Sequence, residues 1–263
     1  MKKLFVLTLV AGLMPAACTG PKHLAYLNNL PETGESSYFT MEIPDYTIQI
    51  RDILYITVRA MTPDGMITDF LSASRGGLGV NFLQSESGQY MYGFDVNRNG
   101  DIILPVIGTL HLEGMTLEEA RLMIQGKAEK VFPGSVTECK LLSFKFTVLG
   151  EVRAPGTYIN YNNFLTVFEA LGRAGGIGDY GKRNTLLVLR ASEKGTTTYR
   201  LNLQDKAILS SEAYFLMPND VVIVEPRSTK VFNMNLPLIS LIVTSVTSSI
   251  TMLILILNYT GGN

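Results

Sequence analysis

The side chains able to do acid, base or nucleophilic chemistry are scattered along this 263-residue chain. Four carboxylates are candidates for acid–base catalysis: Asp95, Asp101, Glu118 and Glu119. Each lies beside a predicted turn or at a predicted helix start, which explains it without catalysis. The run Gly76-Gly77-x-Gly79 is a poor phosphate loop, because no Lys-Ser or Lys-Thr follows it. We therefore predict no enzymatic activity and no cofactor.

Composition narrows the classes of partner. With 22 basic and 23 acidic residues, the chain lacks the excess of positive charge that is typical of nucleic-acid-binding proteins. Two histidines, His23 and His111, and two cysteines are too few to predict a metal site. The second cysteine, Cys139, is expected to be a small buried residue in a strand.

The first 17 residues are predicted to be a signal peptide. Lys2-Lys3 precede the apolar run from Leu4 to Leu13, and Pro15-Ala16-Ala17 lead to Cys18. Small residues before a cysteine resemble the lipobox of bacterial lipoproteins, which implies that Cys18 is the mature first residue and carries lipid. The following Thr19 then implies sorting to the outer membrane. The alternative is an ordinary secretory signal in which the cysteine occurs by chance.

An uncharged stretch from Leu236 to Leu257 is predicted to be a membrane-spanning helix. At about 1.5 Å per residue its 22 residues reach roughly 33 Å, close to the thickness of the hydrocarbon layer. A lone β-strand is the less favoured alternative, because it spans lipid only inside a barrel built from several chains. We place this segment at 229–263.

Polar residues of the predicted helix fall on one face at 100° per residue. They are Ser240, Thr244, Thr247, Ser248, Thr251 and Asn258. Ser245 and Ser249 fall outside that face. One interpretation is that the hydroxyl groups bond back to their own helix and help helices pack. The other is that several copies form a ring in which this hydroxyl stripe lines a water-filled pore.

Before the helix the pattern is mostly short strands, so the predicted fold class is α+β. Residues 18–43 are polar and turn-rich, as in a tether, and 61–93 form an irregular insertion. Strands are predicted from Tyr46 to Ile50 and from Leu54 to Val58, with a hairpin at Asn99-Gly100. Thr116 with Glu119 predicts a capping box that opens a helix, and Pro133-Gly134 ends it.

Two blocks of residues 44–145 resemble the polysaccharide export domain of outer-membrane capsule and exopolysaccharide translocons. They are YTIQIRDILYITV, from Tyr46 to Val58, and FDVNRNGDIILPVIGTLHLEGMTLEEA, from Phe94 to Ala120. In the second block the strand, the Asn-Gly turn, Leu-Pro-x-Ile-Gly, Gly-x-Thr and the Glu-Ala helix start follow the order of the family. In the first, Ile50-Arg51-Asp52 stands where the family usually has Pro-Gly-Asp.

Residues 146–228 resemble a soluble-ligand-binding β-grasp (SLBB) domain. The resemblance lies in Val148 to Val152, Pro155 to Tyr158, Thr166 to Ala170, Ala174 to Gly176 and Met217 to Val221. It implies structural roles for Gly150, Pro155, Gly156, Gly175, Gly176 and Asp220. Thr166 with Glu169 predicts a second capping box, and Gly175-Gly176 end the short helix. A hairpin is expected from Leu186 to Leu201.

The resemblance implies an outer-membrane channel subunit that exports capsular or extracellular polysaccharide. Most of the chain would be periplasmic, and copies, commonly eight, would form a ring with the C-terminal helices closing the pore. The implied partners are the polysaccharide, membrane lipid and an inner-membrane polysaccharide co-polymerase, often a tyrosine autokinase. The alternatives are a monomeric, membrane-anchored periplasmic glycan-binding lipoprotein and an inner-membrane scaffold with a tail anchor.

Overall fold

A computed structural model of the chain describes residues 24–31, 34, 36–71, 92–192 and 195–260. It confirms the predicted α+β class, with β-rich domains followed by an apolar C-terminal helix. In the first domain the long strand β1 lies at the centre of a sheet, with β2 and β3 antiparallel along one edge and β6 along the other. These strands are β1 (Ile53–Met61), β2 (Ile67–Asp69), β3 (Phe94–Asp95) and β6 (Val136–Leu141).

A hairpin and one helix complete the first domain. The hairpin pairs β4 (Asp101–Leu104) with β5 (Gly108–His111), and helix α1 (Leu117–Val131) packs against β6. The predicted capping box is present, because the Thr116 hydroxyl accepts from Glu119 N and the Glu119 carboxylate accepts from Thr116 N. The core is formed by apolar side chains of the sheet, the hairpin and α1, among them Leu54, Ile56, Ile102, Leu112 and Ile124.

Two sequence predictions for this domain are wrong. Tyr46 to Ile50 do not form a strand, since Thr47 makes only one isolated bridge to Thr116 and the segment instead bends into a turn that ends at Asp52. The Asn99-Gly100 turn forms, but it does not join a paired hairpin. Its first strand, β3, pairs with β1, while β4 pairs with β5, so the chain uses this turn to pass between two sheets.

The second domain is a five-stranded sheet in the order β10-β9-β11-β7-β8, in which β11 and β7 are parallel and the other neighbours antiparallel. The predicted hairpin and second capping box are confirmed. One helix, α2, covers the sheet and contributes Val167, Ala170 and Leu171 to the core. The elements are β7 (Lys145–Gly150), β8 (Gly156–Ile159), α2 (Val167–Arg173), β9 (Gly181–Ser192), β10 (Gly195–Leu201), a 3-10 helix (Lys206–Ser210) and β11 (Val221–Pro226).

Part of the predicted tether is docked on the second domain. We call residues 24–30 the N-terminal strap. Leu27 N donates to Leu203 O at 3.0 Å, and Asn28 N donates to Gln204 O at 2.9 Å. The Tyr26 ring meets Phe168 edge to face, with 5.8 Å between ring centroids. Five of its seven residues are apolar, and Leu27 packs against the core of the second domain.

The C-terminal helix α3 (Ser228–Thr260) is longer than the predicted span. It begins eight residues before Leu236, because its first turns contact the second domain before the uncharged stretch starts. Lys230 is the one charged residue in its sequence.

Candidate functional site

The C-terminal helix is the candidate functional element because nothing in the described chain covers it. Every described side chain from Val231 to Ile256 is exposed, and these include large apolar residues such as Phe232, Leu241, Ile242, Leu253 and Leu255. Within the described residues, α3 is the one helix long and apolar enough to cross a membrane. Exposed apolar surface of this extent is unfavourable in water. A lipid layer or further protein must therefore cover it.

The hydroxyl stripe forms one concave face of this helix. Thr244, Thr247, Ser248 and Thr251 line a shallow groove of about 450 Å³, together with Met252 and Leu255. Ser240 lies one turn before this groove. The side chain of the sixth predicted residue, Asn258, lies outside the described part of the chain. Four of the six predicted pore-lining residues thus share one surface, although a single chain does not show what faces it.

Most of the hydroxyl groups in α3 donate to their own helix. Thr244 Oγ1 donates to Ser240 O at 2.7 Å, and Thr251 Oγ1 donates to Thr247 O at 2.8 Å. Ser245 and Ser249, off the stripe, do the same. Such bonds satisfy the donor in an apolar environment and leave the lone pairs of the oxygen available as acceptors. Ser240, Thr244, Thr247 and Thr251 of the stripe can therefore accept bonds from water, because their own donors are already satisfied.

The base of α3 is fixed to the second domain, a feature that hydropathy did not reveal. Arg227 N donates to Tyr180 O at 2.7 Å, and the Arg227 guanidinium donates to Gly181 O at 3.2 Å. Lys230 forms an ion pair with Glu151, and Asn233 Nδ2 donates to Tyr180 Oη at 3.1 Å. These contacts connect the start of the helix to Glu151, directly after β7, and to the start of β9. They set the direction in which α3 leaves the domain.

Pro237 lies inside α3, directly above this base. Proline has no N–H, so the carbonyl of Asn233 lacks its usual partner within the helix. The Ser240 hydroxyl donates to Pro237 O at 2.8 Å and ties the next turn to this position. Before Pro237 the helix is therefore stabilised by contacts with the second domain. After Pro237 it is stabilised only by hydrogen bonds within the helix, as far as the structure describes it.

Gly150 is placed where no other residue fits. Its φ is +88°, and a Cβ at this position would lie 2.1 Å from Val224 O on the parallel neighbour β11. Glu151 N, the next amide, donates to that same carbonyl at 3.0 Å. The predicted structural role of Gly150 therefore has a direct cause, which is the close approach of two strands.

The remaining residues of the β-grasp motif lie at the end of α2, at the start of β8 and directly before β11. Gly175 and Gly176 follow α2, and their amides donate to Gly172 O and Leu171 O. Pro155 and Gly156 lead into β8. The Asp220 carboxylate is completely buried and binds the Arg190 guanidinium at 2.8 Å.

A second buried aspartate, Asp52, lies at the junction of the domains. Its carboxylate accepts from Tyr46 Oη at 2.7 Å, from Gln49 N at 2.9 Å and from the Ser143 hydroxyl at 3.0 Å. Burial raises the pKa of the Asp52 carboxyl, although these three bonds oppose the shift. Burial and the nearby carboxylate also raise the pKa of Tyr46. Tyr46, predicted as a strand residue, in fact supports this carboxylate.

An inter-domain cleft of about 850 Å³ opens beside Asp52. The turn that ends at Asp52 lines one side of it, and the turn that ends at Asp220 lines the other. Three basic residues, Arg51, Arg98 and Lys145, also line the cleft. No sequence pattern pointed to this cleft, because its walls come from segments far apart in the chain.

The four candidate carboxylates do not converge. Glu119 caps α1, Glu118 pairs with Arg121, and Asp101 Oδ1 contacts His111 Nδ1 at 2.9 Å. Asp95 lies in β3, paired with Ile53. No group of three or more potential metal ligands occurs in the described part of the chain.

The two cysteines differ in what the structure describes. Cys139 is buried in β6, as predicted, and burial raises the pKa of its thiol to about 12. The predicted lipidation site Cys18 lies outside the described residues, as do His23 and the run Gly76-Gly77-x-Gly79.

Two protein-family models match this chain, and the residues that they match correspond to the two domains. A family described as polysaccharide biosynthesis/export protein matches residues 41–137, and the SLBB domain matches residues 144–224. The chain is 36% identical over 100 residues to the EPS I polysaccharide export outer membrane protein EpsA of Ralstonia solanacearum, and equally to that of Ralstonia nicotianae. The alignment covers 35% of this chain but only 26% of each relative. The matched family is one of export proteins and not of enzymes.

Proposed function

We propose, from the premise that this chain belongs to the polysaccharide biosynthesis/export family and carries an SLBB domain, that it is an outer-membrane subunit through which polysaccharide leaves the cell. The finer proposal is that several copies form a ring whose α3 helices enclose the pore. The observation that carries it is the fully exposed apolar helix with a concave hydroxyl stripe on one face.

The two surfaces of α3 suit a wall between lipid and water. Leu241, Ile242, Val246 and Leu253 offer apolar surface to lipid, while the stripe offers hydroxyl oxygens to water. A hydrated and uncharged lumen lets a long polymer pass, because conduction requires contacts that are weak enough to release it. No covalent step is involved. The proposed inner-membrane partner is the polysaccharide co-polymerase.

The position of the N-terminal strap supports a second membrane attachment at Cys18. Leu203, which accepts the bond from Leu27, itself donates to Arg183 O on β9, and Gly181 on the same strand accepts from Arg227 at the base of α3. Seven residues separate Cys18 from Tyr26, and the extended chain between these two positions reaches at most about 28 Å. A lipid on Cys18 and the helix α3 would thus both be attached at the same end of the second domain.

The test is the mass of the full-length protein in mild detergent, measured by light scattering, beside a version truncated after Thr229. We expect a large ring that becomes smaller or dissociates without α3. A monomer in both samples would overturn the channel and would favour the membrane-anchored glycan binder instead.

The lining role of the stripe has its own test in planar bilayers. Replacing Thr244, Thr247 and Thr251 by the isosteric Val removes hydroxyl groups without changing helix volume, and we expect single-channel conductance to fall at least severalfold. The matched control is Ser245→Ala with Ser249→Ala, off the stripe, which should leave conductance unchanged. Equal conductance in both variants would place the stripe outside the pore.

A further inference from the structure

The inter-domain cleft is framed by two turns with the same backbone arrangement. Asp52 N donates to Gln49 O and Asp220 N donates to Met217 O, each at 3.1 Å. In both turns the aspartate carboxylate accepts from the amide of the first residue, and the third residue has a positive φ, 73° for Arg51 and 67° for Asn219. Each turn leads directly into a central strand of its domain.

The third residue distinguishes the two turns. Asparagine tolerates a positive φ, but a bulky side chain such as arginine is strained there. Arg51 is nevertheless held in this conformation, since its amide donates to Val96 O at 2.9 Å. Strained backbone of this kind is concentrated at functional sites. An exposed arginine that lines the cleft at a strained backbone position is therefore the feature that needs an explanation.

Two further cations share the cleft with Arg51. Arg98 lies two residues beyond Val96, in the turn between β3 and β4, and Lys145 begins β7, where its carbonyl accepts from Asn219 N. All three side chains are exposed, and none forms an ion pair within the described part of the chain. The one acidic residue in the lining, Asp52, has its carboxylate occupied by three donors.

The rest of the lining suits a sugar. Gln49, Ser143, Ser192 and Asn219 bring amide and hydroxyl groups to the cleft. An acidic sugar combines one carboxylate with several hydroxyl groups, so it would match cations interspersed with such neutral partners. A volume of about 850 Å³ accommodates a short segment of a polymer.

We propose that the cleft between the two domains binds carboxylate-bearing segments of the polysaccharide, with Arg51, Arg98 and Lys145 as the anion-binding residues. The proposal rests on the proposed export function and names the class of polymer, which is an acidic one. Binding at an exposed cluster of cations is weakened by salt. Contacts of this strength retain a segment only briefly, as passage of a polymer requires.

The experiment titrates full-length protein in detergent with tetragalacturonate by calorimetry. Arg51→Gly removes the guanidinium and also relieves the strained φ, so this variant should be no less stable than the wild type, and thermal unfolding of both verifies it. We expect Arg51→Gly and Lys145→Gln each to weaken binding at least tenfold. The matched control is Lys127→Gln, which removes the same charge from an exposed position of α1 outside the cleft.

The ligand controls are maltotetraose, which is neutral, and tetraglutamate, which is an acidic peptide. The proposal is supported if tetragalacturonate binds, salt weakens it, and maltotetraose does not bind. It is overturned if the wild type does not bind tetragalacturonate, if Arg51→Gly binds it equally well, or if only tetraglutamate binds, which would indicate a protein partner. The assembly mass recorded on the same samples separates this result from the export proposal, because a ring without acidic-sugar binding leaves the channel intact.

Discussion

Asp52 in the first domain and Asp220 in the second close turns of the same form, yet their carboxylates are stabilised differently. Asp220 is bound by a guanidinium, since Arg190 Nη2 lies 2.8 Å from its Oδ2, and the same nitrogen donates to Phe215 O. Asp52 has only neutral donors, from Tyr46, Gln49 and Ser143. One turn therefore holds a paired charge, and the other holds a carboxylate whose ionisation is opposed by burial.

The difference shows that backbone form and side-chain electrostatics are set separately. A local turn needs an acceptor for the first amide, and any buried aspartate oxygen supplies it. Whether that aspartate stays ionised without loss of stability depends on distant residues, and Arg190 lies thirty positions before Asp220. The first domain has an arginine within its turn, Arg51, but this residue lines the cleft and forms no ion pair with the Asp52 carboxylate.

The largest effect is expected from Asp220→Asn. An asparagine would place an amide donor against the Arg190 Nε and leave a largely buried cation without its counter-charge. Breaking a buried pair in this way costs about 3–5 kcal/mol in the free energy of unfolding. Urea unfolding of the full-length protein in detergent, followed by circular dichroism, measures it.

The control for Asp220→Asn is Glu225→Gln in β11, the strand that follows Asp220. Glu225 pairs with Lys182 and Arg200 at the surface, where solvent screens the interaction, so its replacement should cost far less. Equal losses in the two variants would mean that the buried pair has no special role.

A smaller effect, which depends on pH, is expected from Asp52→Asn. The asparagine oxygen still accepts from Tyr46 and Gln49, and its amide donates to the Ser143 hydroxyl, so the network is kept. Because the folded pKa of Asp52 is raised, wild-type protein loses stability as pH rises from about 3.8 through that pKa. The free energy of unfolding of the variant, relative to that of the wild type, should thus increase by at most about 1.4 kcal/mol per pH unit in that window. Parallel stability profiles between pH 4 and pH 8 would contradict this.

The smallest effect is expected from Ser143→Ala. This serine donates to Asp52 Oδ1 and accepts from Ile53 N at 3.2 Å, so its loss should cost about 1 kcal/mol. It also removes one of the bonds that lower the pKa of Asp52, and the pH dependence should become stronger. Ser192→Ala is the matched control in the same cleft, since its hydroxyl donates only to Gly195 O. A pH profile identical to that of the wild type would separate Ser143 from the titration of Asp52.

Sequence reasoning succeeded where structure is determined locally. Both capping boxes follow from residues three positions apart, and the apolar stretch identified α3. It failed at Tyr46 to Ile50, where alternation suggested a strand but Asp52 draws the segment into a turn. The helix base at Arg227 and Lys230 and the inter-domain cleft depend on contacts between distant segments, and no local pattern encodes these.

The docked N-terminal strap has a mechanical consequence. The strap is held by Leu203 to Lys206, and Asn29 alone exchanges two side-chain bonds with Asp205 and Lys206. Tension between residue 24 and α3 therefore passes through the second domain, from these bonds to the contacts of Arg227 and Lys230. The first domain, which lies between the strap and the second domain along the chain, is bypassed by this tension. As long as the strap stays bound, a pulling force at the membrane therefore does not unfold the first domain.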